Sequence, residues 1–169
     1  MVKAGIYDFV DIYGDTVYAV KEITKKEAEV TTVTFVSEHF DFAGNLLKTV
    51  EIASSNDPKY NMDALALNPT HSCVMAALND KSYFIENLLT GEIVKLQYPT
   101  LKVKLPWVAQ ATNDGFAFYL AGTKNLYRID CTKVKSGELS DTLPGVTMTN
   151  FKHAKPEYIQ MVVNGDKIL

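Results

Sequence analysis

Cysteine, tryptophan and histidine are all scarce in this chain, at two, one and three among 169 residues. Cys73 and Cys131 are too few to make the multi-bridge framework that staples small secreted domains. One bridge between them is conceivable, but Cys73 opens the apolar run Cys73–Leu78, so both are expected as buried free thiols packing like small hydrophobes. Positive charge is not in excess either. The 17 Lys and Arg are outnumbered by 20 Asp and Glu, giving a net charge of -3, and they are spread along the chain. A duplex binder needs a dense positive face to release phosphate counterions, so no nucleic-acid partner is expected. Long hydrophobic runs are missing. Asp8 and Asp11 interrupt the start, which lacks the apolar core of a signal peptide, and no stretch approaches the roughly 18 apolar residues that span a bilayer. The expectation is a soluble intracellular protein of the cytoplasm, with no membrane partner. No GxSxG, HExxH, P-loop or GxGxxG pattern occurs, and no cofactor is expected.

What is present is the material of a β-rich core. Hydrophobic residues make up 47%, aromatics 11% and charged residues 22%, which argues for a folded chain of one domain. Four segments share a pattern in which a run of β-formers, a tight turn and a second such run follow one another. They turn at Tyr13-Gly14-Asp15, at Asn68-Pro69-Thr70-His71-Ser72, at Asn113-Asp114-Gly115 and at Asn164-Gly165-Asp166. Gly, Asn and Asp tolerate the positive φ that short hairpin turns require, and Pro69 can sit in a turn, where its missing N–H breaks no ladder. The turns recur at roughly 45 to 55 residues, near the length of a four-stranded propeller blade.

Further strands are expected between the hairpins: Val30–Val36 and a second from Leu46 to Ile52 in the first unit, Ser82–Ile85 and Glu92–Gln97 in the second, Asn125–Asp130 in the third. Thr24–Glu29 reads as a charged loop, and Ser54–Lys59 as a linker. The polar stretch Cys131–Leu143 offers no strong fourth strand to the third unit. The fold expected is therefore all-β, a single domain over 1–169 made of repeated antiparallel four-stranded meanders. Its units cover about 1–57, 58–104, 105–150 and an incomplete 151–169.

Thr90-Gly91-Glu92 before an outer strand and Asn68-Pro69 between inner strands, set in that repeat, give a chain that resembles the WD40-like β-propellers. The Gly-His and Trp-Asp signatures of true WD40 repeats are absent, and the single tryptophan, Trp107, opens a strand instead. The resemblance implies a partial or incomplete β-propeller of divergent type, because closure takes about four to eight blades and this chain has three and a fraction. Open blade faces and edges are aggregation hazards, so completion by further chain or by self-association is expected.

Candidate sites are few. His39 and Asp41 lie two apart, on one face of a strand, but no third metal ligand has a recognisable spacing, and a solvated strand end or loop is the plainer reading. His71 beside Cys73 would need hydrogen-bond reach and an orienting third group to activate a thiol, and Cys73 is committed to the core. His153 reads as a solvated loop residue. Asp8, Asp11 and Asp15, and Asp57 and Asp63, read as turn carboxylates more simply than as a hydrolytic pair. The most informative segment is Gln97–Trp107, which joins one blade to the next where propeller partners bind. Tyr98 and Trp107 are expected as aromatic anchors and Lys102 and Lys104 as its polar rim. The alternative is a short buried strand of Leu101, Val103 and Leu105, with both lysines facing solvent.

The function expected is a non-catalytic interaction scaffold whose loops bind a protein or peptide. An up-and-down β-barrel holding a small apolar ligand is the alternative for a chain of this length and strand content.

Overall fold

In the computed structural model of the chain, which describes residues 6–68, 70, 73–98, 107–120, 125–150, 163–164 and 167–168, each of the four turn clusters is flanked by antiparallel strands. The pairs that close them are Tyr13 with Thr16, Asn68 with Cys73, Ala111 with Phe116 and Asn164 with Lys167. Sheet one is the meander β1 (Phe9–Tyr13), β2 (Thr16–Glu27), β3 (Val30–Asp41) and β4 (Leu46–Ser55). Sheet two repeats it with β5 (Met62–Asn68), β6 (Cys73–Leu78), β7 (Ser82–Asn87) and β8 (Ile93–Gln97). Sheet three is built from β9 (Trp107–Ala111), β10 (Gly115–Leu120), β11 (Asn125–Asp130) and β13 (Val146–Asn150), the two-residue β12 (Gly137–Glu138) having left for sheet two. A separate two-stranded hairpin follows, of β14 (Val163–Asn164) and β15 (Lys167–Ile168). The fold is all-β, in propeller-like four-stranded meanders. The sheets are separate and none closes on itself, which overturns the barrel alternative. No helix among the described residues is long and apolar enough to cross a membrane.

The third unit does have its fourth strand. It comes late because the polar stretch 131–145 leaves sheet three first. There β12 pairs in parallel with β8, Gly137 opposite Leu96 and Glu138 opposite Gln97, before the chain returns as β13. The segment covers an edge that would otherwise present unpaired N–H and C=O groups.

Sheet two lies between the other two, and its sequence follows from that. All six residues of β6 are buried. Because successive side chains on a strand point to opposite faces, Cys73, Met75 and Ala77 enter the core shared with sheet three, beside Phe116, Phe118 and Ile129. Val74, Ala76 and Leu78 enter the core shared with sheet one, beside Tyr18, Val33 and Phe35. A strand covered on both faces reads as a continuous apolar run, as this one does. The turns also tie neighbours together, since the buried Asn68 amide donates to the carbonyls of Thr112 and Gly115 at the next unit's turn, at 2.9 and 2.6 Å.

Two expectations fail in sheet one. Ser54 and Ser55, read as the start of a linker, are the last residues of β4, opposite Thr34 and Val33. Thr24–Glu27 is no loop: β2 runs on through it, pairing Thr24, Lys25, Lys26 and Glu27 with Val33, Thr32, Thr31 and Val30. The β-branched residues opposite favour the extended ladder over a charged loop. Reversal is left to Ala28 and Glu29, with Ala28 at φ 53°. There an L side chain crowds the following carbonyl oxygen, which glycine avoids. Ala28→Gly should therefore raise unfolding stability by about 0.5–1 kcal/mol, read as a higher urea midpoint at unchanged slope. A lower midpoint would show that this turn is not strained.

Candidate functional site

Two arrangements in sheet one bear on function, one on each face. The inner face meets β7 across a buried polar cluster. The Glu86 carboxylate, 1% exposed, accepts from Tyr18 Oη at 2.9 Å, from Ser37 Oγ at 2.8 and 2.9 Å to its two oxygens, and pairs with His39 Nε2 at 3.1 Å. His39 Nδ1 lies 2.9 Å from Tyr13 Oη, which also reaches the Leu88 carbonyl at 3.3 Å. The imidazole stands edge-on to the rings of Tyr13 and Tyr18.

Cross-strand register places these groups. Tyr18 faces His39 across the β2–β3 ladder, and Val20 faces Ser37, so all four lie on one side of the sheet. Burial, and next the charge of Glu86, push the Tyr18 phenol far above its usual range, so it stays a donor. Burial is also the main cause of the raised Tyr13 phenol. The set is a carboxylate–imidazole–phenol relay in composition, but its polar atoms are spent on one another between two sheets. It acts as an interlock.

The reading of His39 as a solvated residue is thus overturned. It is 2% exposed, because β3 runs five residues further than Val36 and carries it into the interface. Asp41 does not join it. Its carboxylate closes the next turn, accepting from the Asn45 backbone and side-chain amides at 2.8 Å each. Asp8 and Asp57 likewise accept the backbone N–H groups of Glu22 and Lys59. Among the described residues no group of three or more His, Cys, Asp and Glu side chains gathers as a metal would need.

The outer face of sheet one carries a row formed by register alone: Ile12 opposite Val17, Val17 opposite Phe40, Phe40 opposite Leu46. Val10, Ile12, Phe42 and Leu46 on and beside it are between 54% and 63% exposed. An open apolar cleft of about 280 Å³ is set in this face, lined by Tyr7, Val10, Val17, Ala19, Phe40 and Phe42. Tyr7 forms its wall. The Asp8 N–H donates to the Val20 carbonyl at 2.9 Å and so holds Tyr7 beside the sheet. Tyr7 Oη then donates to Glu38 at 2.8 Å, its ring meets Phe40 edge-on, and Lys21 sits over it while pairing with Glu38.

The connection predicted to bind is only partly described. Tyr98 is half-buried, packs against the core between sheets two and three, and meets Tyr127 edge-on with centroids 6.1 Å apart. Its ring is engaged by the fold. Trp107 opens β9, its backbone opposite Leu120. Lys102, Lys104, His71 and His153 lie outside the described residues, as does the side chain of Trp107.

No family model, curated protein or solved structure matches this chain. The functional reading therefore rests on these two faces.

Two outcomes test them. Glu86→Gln keeps the shape but sets an amide N–H against hydroxyl and imidazole donors, and should cost about 2–4 kcal/mol in urea unfolding, with Ser37→Ala costing about 1. Equal, small losses would show that the cluster is not an interlock. The second is a pH dependence. Burial alone would raise the Glu38 carboxyl, but the hydrogen bonds from Lys21 and Tyr7 outweigh it and hold it below 4.5. The Tyr7 wall is thus stabilised above pH 4.5 and should be lost as pH falls through the lower folded value. Nuclear magnetic resonance of the Tyr7 ring, followed from pH 6 to 3, should show it detaching only when Glu38 protonates; detachment at higher pH would contradict the assignment.

Proposed function

We propose that this chain is a non-catalytic interaction scaffold that binds a protein or peptide through the outer face of its first sheet. The observation that carries the proposal is the apolar row Ile12–Val17–Phe40–Leu46, exposed at Ile12 and Leu46 and half-buried at Val17 and Phe40, with its cleft. The other face of the same sheet, and both faces of sheet two, are packed against neighbours. Monomeric proteins seldom leave such a contiguous apolar patch without a use. A partner that fits would offer an apolar sheet face or segment, with a basic or donor group near Asp41 at the cleft. Phe40 and Phe42 suit the role of anchors, because aromatic side chains dominate interface energetics. The connection carrying Tyr98, Lys102, Lys104 and Trp107 is a second proposed contact region, on the blade architecture alone.

Ile12→Asp together with Phe42→Asp should abolish the interaction and leave the fold intact, since both side chains are exposed. Light scattering after size exclusion gives the mass of the wild-type chain, and affinity capture gives its partners. A dimer reduced to monomer by the double variant, or a captured protein lost with it, supports the reading. A monomer whose captured proteins are unchanged by the double variant overturns it.

A further inference from the structure

Cys73 and Cys131, 58 positions apart in the sequence, arrive at one place from different sheets. Cys73 starts β6 and points into the core between sheets two and three, and Cys131 follows β11 and packs against the same core. Both are free thiols, Cys73 buried and Cys131 partly exposed. Each is anchored by its own sheet. Cys73 pairs with Asn68 and Asn87 on its two neighbours. The Cys131 N–H donates to the Asp114 carbonyl at 2.9 Å. Gly115 has no Cβ, and one built there would stand 2.9 Å from Cys131 Sγ, so the thiol lies close against β10. Both cysteines line a cavity of about 580 Å³, open to solvent, with Thr132, Lys135, Ser136 and Glu92 among its polar walls.

We propose that Cys73 and Cys131 are a site of reversible disulfide formation by exchange with a low-molecular-weight disulfide such as oxidised glutathione, admitted through this cavity. Cys131, the more exposed, loses its proton and attacks one sulfur of the small disulfide, and one glutathione leaves as a thiol after taking up a proton. Cys73 then gives up its proton and attacks the Cys131 sulfur of the mixed disulfide, expelling the second glutathione. Two protein thiols are oxidised to one disulfide, and one small disulfide is reduced to two thiols. Hydrogen bonding with Cys73, then burial, hold the Cys131 thiol well above its usual range. Because the thiolate is the attacking form, exchange is slow and requires sustained oxidising conditions. The bond would tie sheet two to sheet three and fix the start of the 131–145 segment, whose grip on β8 otherwise rests on the two β12 pairs and bonds such as Lys95 N–H to Ser136 Oγ and Leu139 N–H to the Gln97 carbonyl.

The test incubates the full chain with oxidised glutathione and maps it by mass spectrometry without reduction. The expected product is a Cys73–Cys131 cross-linked peptide, an intact mass lower by two hydrogen atoms, and reversal by dithiothreitol. The thermal midpoint should rise by roughly 5–10 °C, a gain that Cys131→Ser does not show. The peptide map is read on the wild-type chain and does not depend on how the variant folds. A lasting glutathione adduct on Cys131 with Cys73 still free, a disulfide between two chains, or thiols unchanged after prolonged oxidation would each overturn the proposal.

Discussion

A carboxylate cannot be left bare between two sheets, and Glu86 is the point on which the seating of sheet one against sheet two depends. An uncompensated buried charge costs several kcal/mol, so the interface must deliver donors to it. Tyr18, Ser37 and His39 do so from two adjacent strands, which requires those strands to hold their register. A one-residue slip would turn all three to the opposite face. The polar cluster therefore specifies alignment where apolar packing alone would tolerate sliding. The surrounding hydrophobic contacts, among them Phe35, Leu78 and Phe84, supply the attraction.

Between sheets two and three the same task falls to different chemistry. Here the core is almost entirely apolar, with Phe116, Phe118, Tyr127 and Ile129 facing Met75, Tyr83 and Ile85. Alignment comes from the ends, where Asn68 binds two carbonyls of the next turn. One joint is fixed at its centre and the other at its rim. Among the described residues, sheet one keeps exposed apolar side chains on its outer face, and the scaffold proposal rests on them.

Most of the architecture was legible in the residues, because hairpins are local. Gly14, Asn68 and Asn113 announce turns by their tolerance of unusual backbone, and Cys73–Leu78 announces a strand buried twice over by lacking alternation. What could not be read there is what depends on distant partners. His39 looked solvated because Glu38 and Asp41 stand close to it in sequence, whereas its buried partner, Glu86, lies 47 positions away. Thr24–Glu27 looked like a loop because its charges outweighed its β-branched residues locally, and the ladder with Val30–Val33 decided otherwise. The apolar row on sheet one was invisible for the same reason, since each member belongs to a different strand. A signal did exist: Tyr18, Ser37 and His39 alternate in step with buried apolar positions, and polar residues in core register ask for a buried partner.

The separation between Glu86 and the groups that meet it also has a consequence in time. Tyr18, Ser37 and His39 are made first, and the carboxylate that satisfies Ser37 follows it by 49 residues. At translation speeds of about 5–20 residues per second, that interval is roughly 2 to 10 seconds. Sheet one thus waits, newly synthesised, with the Tyr18 and Ser37 hydroxyls still without the carboxylate that answers them. Its two long central strands, β2 and β3, are joined by the shortest of reversals and extend well past the core. That long local ladder can form without sheet two and hold the waiting hairpin in register until β7 emerges.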